Sequence, residues 1–261
     1  MIRRLLLAAP VALLLQAGAQ AQEPERAPFI TTPPDVVEEM LRFAGTGPSD
    51  VVVDLGSGDG RIVIAAAQKF GARAIGIELD PPLVRKSREA AAAAGVAGRA
   101  TFVEGNVLFA DISQATVVTI YLLPGLINQL QPRFLEELKP GTRVVSHAFT
   151  MTGWRPDRSE AVRLQREHAG QGMESRLFLW VVPAKARGDW RAGSLELRIS
   201  QNFQQIEVEV GKALAKRAAL EGKNISWETD DARFDGVVEG ASMRGELTRN
   251  SQKKSVVFEK R

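Results

Sequence analysis

The chain has 261 residues, 44% of them hydrophobic and 25% charged, with a net charge of +3. That length can bury one full core and leaves room for a second, smaller unit. Acids and bases interleave without a basic tail or stripe, which argues against a nucleic-acid partner, and the absence of cysteine excludes disulfides, thiol nucleophiles and cysteine-ligated zinc.

The chain opens on a targeting segment. Arg3 and Arg4 precede an apolar run from Leu5 to Leu15, and Ala19-Gln20-Ala21 supplies small residues for a signal peptidase. The run is too short for a stable membrane span of about 20 residues. Residues 1–21 therefore read as a cleaved signal peptide, with mature protein starting at Gln22 outside the cytoplasm, in the periplasm. The paired arginines also permit a twin-arginine signal. Gln22 to Pro34 is a polar, Pro-rich lead-in.

From Asp35 short apolar runs alternate with helical stretches. Val36, Val37, Met40, Leu41 and Phe43 predict a helix over Asp35–Phe43. Asp50 to Leu55 reads as a buried strand, Arg61 to Phe70 as a helix, and Arg73 to Glu78 as a strand. Pro82 to Ala94 is helical, between Pro at the start and Gly95 at the end. Ala100 to Glu104 and Thr116 to Tyr121 are strands, Leu126 to Leu138 a helix, and Thr142 to His147 a strand. Ala161 to Glu167 and Ser175 to Val182 form a hairpin. The alternation predicts an α/β fold with a mostly parallel sheet covered on both faces, over residues 35–183. Lys185 to Asp189 reads as a linker. Residues 184–261 then read as a small antiparallel β domain, with strands at Ser194–Ser200, Gln205–Val210, Asn224–Glu228, Arg233–Val238, Ser242–Thr248 and Ser255–Glu259. Lys212 to Leu220 is ambiguous between helix and strand.

The chemistry concentrates around Asp54-Leu55-Gly56-Ser57-Gly58-Asp59-Gly60, where the first strand turns into a helix. Gly56, Gly58 and Gly60 let the backbone turn sharply and approach a ligand. The helix start offers unpaired N–H groups to a carboxylate. Asp54 is placed to meet a ligand ammonium or to order the loop. Glu78, at the end of the second strand, is placed to accept ribose hydroxyls. Asn106, after the third, is placed to contact an adenine edge. The glycine spacing is G-x-G-x-G, not the G-x-G-x-x-G of dinucleotide folds.

These residues resemble motif I and the acidic motif II of class I S-adenosylmethionine (SAM) dependent methyltransferases. More narrowly, DLGSGDGRIVIAAA and GIELDPPLVRKSREAA resemble the small lysine methyltransferases related to the ATP synthase c-subunit lysine methyltransferase. Thr32-Pro33 and Tyr121-Leu122-Leu123-Pro124 match as well. The resemblance covers Phe29 to Pro183. It implies a Rossmann-like seven-stranded sheet, SAM as cofactor, and a protein lysine as acceptor. It implies that Thr32 and Pro33 close over the cofactor, that Gly56, Ser57, Gly58 and Glu78 hold it, and that Tyr121, Leu122 and Pro124 line the transfer site. Asn106 stands where the family usually has Asp, and its side-chain oxygen keeps the capacity to accept from the adenine amino group.

A lysine acceptor must lose a proton before it can attack, and an apolar channel would help it do so. Leu122, Leu123, Phe149 and Trp154 are candidates for that channel, each also readable as an ordinary core or loop residue. His147 reads as a base or, better, as a hydrogen-bonded residue at the sheet rim, and His168 as solvated. Two histidines and no cysteine give no metal-ligand spacing. A small-molecule methyltransferase and a non-catalytic SAM- or nucleotide-binding protein are the alternatives. Oligomeric state is not legible.

Overall fold

The computed structural model describes residues 30–168 and 172–261. The signal-peptide segment and the first part of the lead-in lie outside the described residues. The described chain opens with α1 (Pro34–Phe43), whose first residue is a proline, so the helix starts where a missing N–H costs nothing. Its face of Val36, Val37, Met40 and Leu41 is buried.

There follow β1 (Val51–Leu55), α2 (Arg61–Lys69), β2 (Arg73–Glu78), α3 (Pro81–Ala93), β3 (Ala100–Glu104), β4 (Val117–Ile120), α4 (Pro124–Glu137), β5 (Arg143–His147), β6 (Arg158–Arg163) and β7 (Glu174–Val181). The seven strands form one sheet in the order β3-β2-β1-β4-β5-β7-β6. Strands β1 to β5 pair in parallel, and β7 runs antiparallel to both β5 and β6. This is the predicted mostly parallel, Rossmann-like sheet. The central strands carry Val52, Val53, Val117, Val118, Val144 and Val145 with no exposed surface. Each contributes roughly 1.5–3 kcal/mol through burial. One face packs on α1, α2 and α3, and the other on α4 with Trp154 and Trp180.

Strand β1 lies between β2, which follows it in sequence, and β4, which does not. The chain order reverses at this point, and a crevice opens beyond the C-terminal ends of β1 and β4. Open α/β sheets bind their ligands in such crevices. Strand β6 starts three residues earlier than its sequence suggested. Of its side chains only Val162 is buried, so its apolar alternation is too faint to mark its ends.

The rest of the chain forms a second sheet of β8 (Gly188–Ala192), β9 (Leu195–Asn202), β10 (Gln205–Val210), β11 (Ala213–Leu214), β12 (Arg217–Glu221), β13 (Asn224–Glu228), β14 (Ala232–Glu239), β15 (Ser242–Arg249) and β16 (Gln252–Lys260). All neighbours are antiparallel, and β8 pairs with the final strand, β16. The chain runs from β11 at one end of the sheet directly into β12 at the other, and β12 lies against β10, so the sheet curls round on itself. Inside lie Trp190, Trp227, Phe234, Met243 and Phe258, all buried. The Lys185–Asp189 linker is partly a strand instead: Gly188 and Asp189 open β8, and Ala186 is fully buried. Lys212 to Leu220 resolves to strand, because Leu220 is buried and β12 takes its whole register from β13.

The two sheets meet at Trp154. Its ring stacks on Phe203 with centroids 5.4 Å apart, and its Nε1 donates to Gln204 Oε1 at 2.8 Å. Gln204 Nε2 donates in turn to the Arg155 carbonyl at 2.9 Å. A chain ending at Pro183 should still fold, because all seven strands of the first sheet precede that point. Its melting temperature should fall, since the cut leaves an indole face exposed and an N–H unpaired, at a cost of about 2–4 kcal/mol. Thermal denaturation of the truncated and full chains measures this, and an insoluble fragment would show that the two units share a core.

Candidate functional site

The turn after β1 is built from left-handed glycines. Gly56, Gly58 and Gly60 have φ of 80°, 55° and 80°, a region that other residues rarely adopt. The N–H groups of Gly56 and Ser57 both donate to the Ile77 carbonyl at 2.9 Å, which folds the turn onto the end of β2. Gly58 N–H donates to Glu78 Oε2 at 2.9 Å, and Ser87 Oγ donates to the Gly58 carbonyl at 3.0 Å. The turn is thus bound to β2 and α3 before α2 begins. Gly76 is a site residue that the motif spacing does not include. A Cβ there would lie 2.5 Å from Ser57 Oγ, so only glycine admits the serine. Its signal was available: a glycine inside a strand marks a close approach.

Asp54 is 2% exposed, at the crevice end of β1. Thr119, its register partner on β4, donates a 2.6 Å hydrogen bond to Oδ1. Burial pushes the Asp54 carboxyl up to about 7, with smaller upward contributions from Glu78 and Asp59, while the Thr119 hydrogen bond works the other way. An uncompensated carboxylate in this position is suited to an ammonium ligand.

Glu78 accepts from two backbone N–H groups, Gly58 on one oxygen and Asp80 on the other, each at 2.9 Å. Both oxygens keep a second lone pair with which to accept from a ligand. Asn106 Oδ1 accepts the Leu108 N–H at 2.9 Å and so shapes its own loop. Thr32 is buried, and its carbonyl accepts from Arg61 Nη1 at 2.8 Å. Arg61 also pairs with Asp59 through two hydrogen bonds of 2.9 and 2.6 Å. Arg61 ties Thr32 and Pro33 to the glycine turn, a role that spacing alone could not reveal.

The residues present fit SAM. Ser57 Oγ is buried and finds no partner among the described residues, the turn offers a cradle without side chains, and Asp54 and Glu78 supply carboxylates at either side of it.

Tyr121 and Leu122 leave β4 beside this turn. A Cβ on Gly56 would lie 2.8 Å from Leu122 Cδ2, which places Leu122 against the glycine turn. Pro124 opens α4 and is exposed, as is Leu123. Tyr121 stacks near Phe149, with centroids 6.3 Å apart, and packs 4.1 Å from the His147 ring. His147 is fully buried, with Nε2 2.9 Å from Ser175 Oγ, and burial holds its pKa down at about 4, with His168 nearby adding to the effect. The hydrogen-bonded reading of His147 holds. His168 is not simply solvated: its Nε2 lies 3.4 Å from the Tyr121 hydroxyl. Trp154 does not join this cluster, because it faces Phe203.

A reversed-order parallel sheet, a left-handed glycine turn and the carboxylates of Asp54 and Glu78 define a class I SAM-dependent methyltransferase. Comparison with known proteins agrees. Residues 54–158 match the family model of the ANTKMT methyltransferase domain. A protein-lysine N-methyltransferase of Saccharolobus islandicus is 42% identical over 156 residues, which are 59% of this chain and 93% of that protein. The mouse lysine N-methyltransferase of the ATP synthase c-subunit is 41% identical over 132 residues, which are 50% of this chain, so the chain spans about half of that relative, 52%. A crystal structure described as an RNA methyltransferase from Salinibacter ruber, bound to S-adenosyl-L-homocysteine, is 48% identical with a TM-score of 0.52. The match covers 58% of this chain and 93% of that one. The chain belongs to the protein-lysine N-methyltransferase family of SAM-dependent methyltransferases.

Glu78→Ala should weaken SAM binding by about 1–3 kcal/mol, the range for hydrogen bonds to a charged group. Titration calorimetry on a folded variant measures it. An unchanged affinity would reduce Glu78 to a carboxylate that only braces the turn.

Proposed function

We propose that the chain transfers the methyl group of SAM to a protein lysine. The observation that carries this reading is the match along 93% of a relative named as a protein-lysine N-methyltransferase. Bound SAM supplies a methyl group on a positively charged sulfur, with a good leaving group already in place. The chain's own residues then have to position and to desolvate. Gly56, Ser57, Gly58 and Gly60 hold the amino-acid end, and Asp54 meets its ammonium. Glu78 takes the ribose and Asn106 the adenine edge, while Thr32 and Pro33 close over the site, held by Arg61. Tyr121, Leu122 and Pro124 border the acceptor, with Phe149 behind Tyr121. Their apolar surface lowers the pKa of an incoming ammonium.

The test is to incubate the protein with methyl-labelled SAM and cell lysate. Label should resist nuclease and appear as methyl-lysine after acid hydrolysis. Label that nuclease removes would overturn the reading in favour of an RNA acceptor, and label confined to small molecules would overturn it in favour of a metabolite. We further propose that residues 184–261 form a separate domain and that the mature chain, starting at Gln22, works outside the cytoplasm. Arg3-Arg4, the apolar run and Ala19-Gln20-Ala21 support export. SAM is made in the cytoplasm, so folding around the cofactor before twin-arginine export would reconcile the two. Cell fractionation with N-terminal sequencing tests it, and cytoplasmic protein that retains Met1 would refute it.

A further inference from the structure

The lysine reading leaves one step without an agent. The acceptor arrives as an ammonium, with a reference pKa near ~10.4, and has no lone pair until a proton leaves. Two histidines converge on Tyr121 at this end of the sheet. Their rings lie 4.1 Å (His147) and 6.1 Å (His168) from the Tyr121 ring, and 5.9 Å from each other. They differ in access. His147 has no exposed surface and is fixed against Ser175, so it has no path to release a proton. His168 sits after β6, before the start of β7, and is only partly buried.

We propose that His168 takes up the acceptor's proton, with the Tyr121 hydroxyl as the bridge between them. The proposal rests on the lysine reading above. One N–H proton of the ammonium passes to the Tyr121 oxygen as the tyrosine's own proton passes to His168 Nε2. The result is a neutral amine, an unchanged tyrosine and an imidazolium. The freed lone pair forms the N–C bond to the methyl carbon as the C–S bond breaks, and the sulfonium becomes a thioether. The imidazolium then returns its proton to solvent. The 3.4 Å gap between Oη and Nε2 is of the loose kind that closes once a substrate is present.

The surroundings suit this role. Charged and titratable groups face His168 from the neighbouring elements: Arg61 from the start of α2, with Asp59 bound to it, and His147 from β5. Burial and the Arg61 guanidinium hold the His168 pKa below its ordinary value. Both effects favour the neutral imidazole, with a lone pair available. Beneath Tyr121, His147 acts as a neutral positioning residue whose ring supports the tyrosine face.

The experiment follows kcat/KM against pH for a peptide carrying the lysine that the wild-type protein labels. For wild type, activity should rise with pH through an apparent pKa below that of free histidine. For His168→Asn the rising limb should move toward the acceptor's own ionisation near ~10, with a loss at pH 7 of about 10²–10⁴-fold that largely recovers at high pH. Tyr121→Phe, which removes one oxygen, should reproduce the shift, and the double variant should be no worse than either single one. SAM affinity should be unchanged in all three. Imidazole nitrogen NMR should show His168 titrating in wild type and moving in Tyr121→Phe. A wild-type pH limb in both single variants would overturn the proposal. So would a loss that is equal at every pH and accompanied by weaker SAM binding, because that marks a packing role. A wild-type protein that forms no methyl-lysine would instead overturn the acceptor reading, and the relay with it.

Discussion

Gly58→Val should give a folded protein with no measurable SAM affinity, a loss of at least about 100-fold. The residue has a φ of 55°, where a β-branched side chain is a genuine outlier. The turn cannot relax freely to accommodate it. The N–H of Gly58 is held by Glu78 and its carbonyl by Ser87, at 2.9 and 3.0 Å. A shift that relieves the backbone therefore breaks these bonds, and with them the geometry shared by the turn and Glu78. The sheet beneath consists of buried valines that do not depend on the turn. Circular dichroism should be close to wild type while calorimetry detects no binding. Equal affinities in the two proteins would remove the glycine turn from the cofactor site.

Asp54→Asn should have opposite effects on stability and on binding. With the folded pKa raised to about 7 against 3.8 for a free carboxyl, the folded state binds a proton that the unfolded state has released between those values. Stability therefore falls as pH rises through this window and levels off above it. The upper bound on the penalty is about 4 kcal/mol, at 1.36 kcal/mol per pKa unit. An amide has no such penalty and still accepts from Thr119. Without SAM, the variant should melt higher than wild type at pH 8, and the difference should close toward pH 4. With SAM the order should reverse at neutral pH, because the buried carboxylate then has an ammonium to pair with and the amide does not. A loss of affinity of about 100-fold is expected from removing one partner of a buried charge pair. A pH-independent melting difference would show that Asp54 is already compensated in the free protein.

Much of this was legible in advance because the relevant signals are local. The turn from β1 to α2 is written in consecutive residues, and the buried strands appear as runs of valine. Helices α1, α3 and α4 begin at prolines, and all four carry apolar residues at helical spacing. The misses share a different origin. Lys185–Asp189 looks like a linker because its lysine, arginine and aspartate are polar. What makes Gly188 and Asp189 part of a strand is β9 alongside them and β16 at the chain's far end. The alanines near residue 215 favour helix in isolation, and β13 overrides them. Arg61 holds Thr32 from 29 positions away, and His168 reaches Tyr121 across 47. No window of sequence contains either pair. The apolar face of Trp154 gave no sign of whether it would meet an acceptor or a second sheet.

The pairing of β8 with β16 has a consequence for biosynthesis. Lys260 and Glu259 sit opposite Trp190 and Arg191, and the Arg261 N–H donates to the Asp189 carbonyl at 2.9 Å. Strand β8 can pair with β9 as soon as both are made, but its other edge stays open until β16 follows. The parallel sheet has no such dependence and can be complete once Val181 has left the ribosome. A nascent chain therefore gains the means to capture SAM while the region that will cover Trp154 is still unformed, and pairings of high sequence separation are the slow ones. Loss of Glu259 to Arg261 would leave the turn after β1 intact and one edge of β8 unpaired, an open edge of the kind that invites proteolysis or mispairing.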